Sequence, residues 1–214
     1  MPHRNRVTPF GDIVAYPERG TFTGNRGILH DESGQLTNRR WTTQSWITCL
    51  LEFKGRQRTI LSPHTWTELF FLDEATALAA GHRPCGECRR ADFTRFVGLW
   101  RTANAPFYGA NLSLREIDRI MHRERIMPRT RQKVTYDDNL DNLPTGAFVT
   151  LKGDNRAFLV LDEVLAAWSP DGYTTRLNRP HGIAVTVLTP LSTVRTLAAG
   201  YELADLPTRP GKDS

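Results

Sequence analysis

Long apolar runs, lysine and cysteine are all scarce in this sequence. No apolar run approaches the ~20 residues that a membrane-spanning helix needs, so no membrane partner is expected. A hydrophobic content of 39% and a mean hydropathy of −0.43 describe a soluble protein. The segment Met1–Arg6 is basic with no apolar stretch after it, which excludes a secretory signal from the reading. Three cysteines in 214 residues are too few for the disulfide framework of a small secreted domain. A reducing, cytoplasmic location is therefore expected. Only four of the 28 basic residues are lysine, leaving 24 arginines, whose planar fork suits phosphate. A GC-rich genome would also raise arginine over lysine, but it would not cluster it.

The clustering is pronounced. Between His82 and Lys133 there are twelve Arg and Lys and five acids, a local charge of +7, whereas the whole chain carries +5. The basicity starts at Cys85 and Cys88, a Cys-x-x-Cys pair whose turn can bring two sulfurs to one side of a metal. Ahead of the pair, Phe70 and Phe71 read as the end of a strand and Asp73 as an N-cap. Glu74–Ala80 reads as a short alanine-rich helix, Gly81 as its left-handed stop, and Pro84 stiffens the turn that follows. A redox dithiol is disfavoured because the pair follows a helix instead of opening one. Cys49 is the one remaining cysteine and the third expected ligand. For the fourth, His30 is preferred because Asp31 could orient its imidazole, with His64 next; His82 is expected to point away.

Residues 77–88, Ala-Leu-Ala-Ala-Gly-His-Arg-Pro-Cys-Gly-Glu-Cys, resemble the second half of the zinc-binding module of the Ada DNA-repair protein. That resemblance implies a tetrahedral zinc on a DNA-associated domain, with ligands divided between an upstream pair and this Cys-x-x-Cys. It covers about a tenth of the chain. The upstream cysteine pair of the family is absent here, and so is its Pro-Cys-His-Arg methyltransferase motif, so methyl transfer is not implied.

Elsewhere the pattern predicts an α+β fold: a zinc-knuckle domain of short strands and two amphipathic helices over 1–141, then a small antiparallel sheet with one terminal helix over 142–214. The second segment either forms part of the first domain or lies against it. Asn5–Asp12 reads as an exposed arm, and Trp46–Phe53 with Thr59–Leu61 as a hairpin around a basic turn. Ala91–Trp100 carries an apolar stripe of Phe93, Phe96, Val97 and Trp100. Asn104–Asn111 reads as a connection, and Ser113–Glu116 as a capping box. Asp137, Asp138 and Asp141 suggest the boundary at 141.

The function expected from these features is that of a zinc-containing protein binding single- or double-stranded DNA. It would act on damaged, modified or foreign DNA, as a glycosylase or nuclease if it is an enzyme. Arg83, Arg89, Arg90, Arg123, Arg125, Arg129 and Arg131 are the expected phosphate contacts. A basic helix end that is merely solvated is the alternative for the last four. Asp12, Glu68 and His82 lie near the distinctive motifs, but nothing selects a catalytic residue among them. The competing readings are an enzyme whose zinc is itself catalytic and a non-enzymatic module that binds RNA or protein. The His-x-Glu signature of zinc nucleobase deaminases is not met.

Overall fold

The computed structural model describes residues 2–55 and 59–205. It contains four α-helices and two six-stranded sheets, an α+β fold. Among the described residues no helix is long and apolar enough to cross a membrane.

The first sheet is built from β1 (Arg4–Val7), β2 (Ile13–Ala15), β3 (Phe22–Asn25), β4 (Ile47–Leu50), β5 (Leu69–Phe71) and β6 (Arg83–Pro84), in the order β2-β1-β5-β3-β4-β6. β3 runs antiparallel to both β4 and β5, while β4 and β6 are parallel. The expected exposed arm is in fact β1: Asn5, Val7 and Thr8 are buried, because the strand gains ladder partners on both sides. The expected hairpin beyond β4 does not form either. β4 pairs with β3 and β6, Thr59–Leu61 is not a strand, and Arg56, Gln57 and Arg58 lie outside the described residues. Gly24 allows the close fit of β3 on β4, since a Cβ there would sit 2.1 Å from the Ile47 carbonyl oxygen.

The second sheet comprises β7 (Tyr136–Asn139), β8 (Phe148–Thr150), β9 (Phe158–Val160), β10 (Val164–Ser169), β11 (Gly172–Asn178) and β12 (Ala184–Val187). Its order is β11-β10-β9-β8-β12-β7 and every pairing is antiparallel. The residues that suggested a boundary at 141 are in part strand residues of this sheet. Asp137 and Asp138 lie on β7, paired with Thr186 and Val185 of β12.

The helix α1 (Glu74–Ala79) joins the two sheets, and all six of its residues are buried. Ala77 packs with Val7, Phe22 and Phe71 of the first sheet, and Ala75 and Ala79 with Phe148, Leu159 and Ala166 of the second. Leu78 faces the remaining helices. Alanine is what lets two sheets approach one helix from opposite sides. Its N-terminus is fully engaged: Asp73 accepts the Thr76 N–H at 2.8 Å and the Tyr173 hydroxyl at 2.6 Å, and Asp205 accepts the Glu74 N–H at 3.0 Å.

Three further helices cover α1. α2 (Arg90–Tyr108) buries Phe96, Val97 and Trp100, as the stripe predicted, but runs eight residues past Trp100 and includes Pro106. Its last turn is held from outside. Tyr108 stacks on Trp100 at 6.1 Å and donates to Glu124 at 2.8 Å, so the connection starts only at Gly109. α3 (Leu114–Arg125) opens with the expected Ser113–Glu116 capping box. α4 (Leu191–Ala198) returns to place Leu197 among the core residues of α2 and α3.

Candidate metal centre

Cys49, Cys85 and Cys88 come together because β6 runs parallel to β4. Ile47 pairs with Arg83 and Thr48 with Pro84, and the Cys85 N–H donates to the Thr48 carbonyl at 2.9 Å. Cys85 is thereby placed beside Cys49. The turn after it folds back through Arg89 N–H donation to the Cys85 carbonyl at 3.2 Å, which returns Cys88 to the same place. The three sulfurs lie within 4.8 Å of one another, near enough to bind one metal ion. All three cysteines are free thiols; Cys85 is buried and the other two half-buried.

The local polarity suits anionic sulfur. The Glu87 N–H points at Cys85 Sγ from 3.4 Å. Hydrogen bonds from Cys49 and Cys88 hold the Cys85 thiol well below its ordinary value, whereas the bond to Cys85 pushes the Cys49 thiol far above it. α2 begins at Arg90, just beyond Cys88, so the expectation that the pair opens no helix is corrected. What sets metal binding above dithiol chemistry is the third sulfur.

His30 is not a fourth ligand. It stands outside the cysteine group, with Nδ1 at 2.7 Å from Thr67 Oγ1 and Nε2 at 3.1 Å from the Ser62 carbonyl. The imidazole is spent on tying two loop segments together. His64 is exposed. His82 points away, as expected: buried between Trp46 and Phe71, its Nδ1 faces the Ala77 carbonyl and its Nε2 accepts from Arg26. No other His, Cys, Asp or Glu among the described residues joins the three sulfurs.

On the open side of the sulfurs lies a cavity of about 600 Å³. Ile47, Leu50, Ile60, Phe53, Trp66 and Phe70 give it apolar and aromatic walls, and Arg19, Thr23, Asn25, Glu68 and Glu87 give it polar groups. Sequence reasoning missed this cavity, apart from noting Glu68. A carboxylate directly ahead of the wholly buried Leu69–Phe71 strand was the available signal, because an acid at such a position is seldom without a task.

The arginines divide into two sets. Arg83 is buried in a bidentate pair with Asp118 at 2.7 and 2.8 Å. Arg89 is buried against Glu74 at 2.7 Å and Asp92 at 2.8 Å. Arg125 donates to the Gly81 carbonyl at 2.6 Å and lies 4.0 Å from the Trp46 ring centroid. These three cannot reach a phosphate, which corrects the expectation for them: each is a strut that holds α2 or α3 to the knuckle. Arg90, Arg123, Arg129 and Arg131 are exposed. Comparison with protein-family models, curated proteins and solved structures yields no match for this chain.

Proposed function

We propose that this is a zinc protein acting on DNA, with Cys49, Cys85 and Cys88 as ligands and the fourth coordination position open to the adjoining cavity. The observation that carries the proposal is the convergence of three sulfurs at the wall of a cavity that supplies no fourth protein ligand among the described residues. Thiolates are soft donors that favour zinc over magnesium or calcium, and four-coordinate zinc with three protein ligands is the arrangement of catalytic sites. A metal so held polarises a bound carbonyl or lowers the pKa of water. Support for DNA comes from the Ada-like residues 77–88 and from the cations left at the surface. Arg19 lines the cavity and Arg90 is exposed two residues beyond Cys88. An open position in place of a fourth protein ligand favours a metal that takes part in chemistry over a closed structural one.

The test has two arms. Elemental analysis and native mass spectrometry of the purified protein should find one zinc per chain, lost in Cys85→Ser. Zinc-loaded protein incubated with single- and double-stranded DNA carrying assorted base lesions, followed by alkali, should cleave at one class of lesion. A metal-free folded protein would sink the zinc assignment. Absence of cleavage, with binding to DNA no stronger than to an uncharged polymer, would sink the DNA assignment.

A further inference from the structure

We infer that the loops 37–44 and 126–133 form one docking surface for the phosphodiester backbone of duplex DNA. The inference deepens the DNA reading above and rests on it, placing the nucleic acid on residues outside the metal centre and its cavity. The sequence supplies the charge. No acid occurs from Ser33 to Leu51 or from Arg125 to Tyr136, while these two stretches hold Arg39, Arg40, Arg125, Arg129, Arg131 and Lys133. Those six cations exceed the net charge of the whole chain, +5.

The fold brings the two stretches together. Arg131 donates to the Asn38 carbonyl at 2.8 Å and Arg125 to the Gln44 carbonyl at 2.5 Å, so the first loop is gripped near both its ends. That loop also rests on Arg26, whose carbonyl accepts the Thr42 and Thr43 N–H groups at 2.8 and 3.2 Å. The second loop is a tight turn closed by the Ile126–Lys133 bridge, with the Arg131 N–H donating to the Met127 carbonyl at 2.8 Å. Arg131 is itself left-handed, with φ of 58°, a conformation that a residue bearing a side chain adopts at a cost. Arg129 and Arg131 are exposed on this turn and Arg39 on the first loop.

Their partners set these cations apart from the struts. Arg83 and Arg89 are neutralised by carboxylates. Arg125, Arg131 and Lys133 instead donate to carbonyl oxygens, which fix the position of a cation without cancelling its charge. Among the described residues, Arg40 is the one member of the six with an ion pair, to the exposed Asp12. Arg125 lies too deep to touch DNA and adds only its field. A rigid set of uncancelled cations fits a partner with closely spaced anions along a regular backbone. Single strands are bound largely by stacking on aromatic rings, and the two loops offer only Trp41, half-buried with its ring 5.1 Å from that of His122. A duplex, met at its phosphates, is the better fit.

Fluorescence anisotropy of zinc-loaded protein with a labelled duplex, repeated from about 50 to 200 mM salt, tests the surface. Arg39→Gln, Arg129→Gln and Arg131→Gln should each weaken binding about three- to tenfold whatever the sequence, and lower the slope of log K against log salt by about one. The triple variant should lower that slope by about three. Glutamine keeps an amide donor for the Asn38 carbonyl, and melting temperature should confirm the fold of each variant. The control Arg115→Gln/Arg119→Gln removes two exposed arginines of α3 outside the loops and should leave the slope as it is. A slope that falls equally in this control, or that is unchanged in the triple variant, would overturn the surface and leave the metal–DNA proposal standing. Tighter binding of a single strand of the same length, or equal competition by polyglutamate at equal charge, would overturn it by naming another partner. If the wild type binds no duplex at all, the DNA reading fails and the surface with it.

Discussion

The two sheets solve the same packing problem with different materials. The second sheet buries Leu140, Val149, Phe158, Val160, Leu165, Val185 and Val187, and the buried polar residues after Arg125 are the hydroxyl-bearing Thr189, Ser192, Thr193 and Thr196. In contrast, every buried Asp, Glu, His and Arg among the described residues lies between Arg26 and Arg125. Burying charge is costly unless it is paired, and apolar side chains of similar volume would serve stability as well or better. The first region accepts that cost around its cysteines and its cavity, while the second behaves as a scaffold on which α1 is seated. Ionic groups fix direction as well as distance. The bidentate Arg83–Asp118 pair, for instance, sets α3 against the strand that leads into Cys85.

The largest effects should come from breaking this contrast directly. Arg83→Met leaves Asp118 buried without its partner and should cost about 3–5 kcal/mol in urea unfolding, most of it recovered in the Arg83→Met/Asp118→Leu double variant. Phe158→Ala in the second sheet should cost about as much, ~3–5 kcal/mol, through a cavity that no second substitution at a charged site repairs. If Arg83→Met unfolds no more readily than wild type, the buried pair is not a strut. Removing the metal should come next. At zinc a thousandfold above its dissociation constant, the bound ion contributes about 4 kcal/mol. A chelator should therefore accelerate hydrogen exchange at the Cys85 and Cys49 amides well before those of β8 and β9. Uniform acceleration across both sheets would show that the metal supports the whole molecule and not the first region.

The second region was the more legible of the two. The antiparallel sheet and terminal helix expected over 142–214 are present, and its β8–β9 and β10–β11 pairs join strands adjacent in the chain, because local pairing is written locally. The α1 knuckle was legible for the same reason: Asp73 caps, Gly81 turns left-handed with φ of 88°, and the helix between them is short. What failed was long-range. Nothing near Arg83 announces Asp118, 35 residues later, and nothing near Arg89 announces Glu74. A count of charge therefore read as surface what the fold uses as interior bracing. Cys49 could be assigned from composition, but the parallel β4–β6 pairing that delivers it to Cys85 could not.

Acid should act on the first region before the second. His122 is held down to about 4 by burial and by Arg125, and His82 well below its ordinary value by burial, Arg26 and Arg125. The unfolded chain takes up these protons near pH 6.5 and the folded chain does not, so stability falls as pH drops from about 6.5 towards 4. Each histidine can contribute up to about 1.4 kcal/mol per pH unit in that window. His122→Gln, which can still accept from Arg125, should flatten the slope between pH 6.5 and 4.5. An unchanged slope would mean that His122 is already charged in the native protein.

The smallest expected effect has the same sign with pH, in a higher window, and falls on Lys133. Its ammonium donates to the Ala79 carbonyl at 2.7 Å, and burial, then Arg26, lower it to about 7; Asp12 offsets this in part and Arg125 adds to it. An unfolded lysine holds its proton to about pH 10.4, so from pH 7 upward the unfolded state binds more protons than the folded one. Stability should therefore rise with pH across that window, by about 1.4 kcal/mol per unit at most and less for a side chain that is only partly shielded. Below pH 7 both states are protonated and the folded one bears the full cost. Lys133→Met removes the ammonium and keeps the stem. The variant should exceed wild type in stability at pH 6, with the lead shrinking steadily toward pH 9.5. Only the difference between the two proteins is informative, since cysteines and tyrosines titrate in the same range. A lead that stays constant from pH 6 to 9.5 would place the Lys133 charge in solvent.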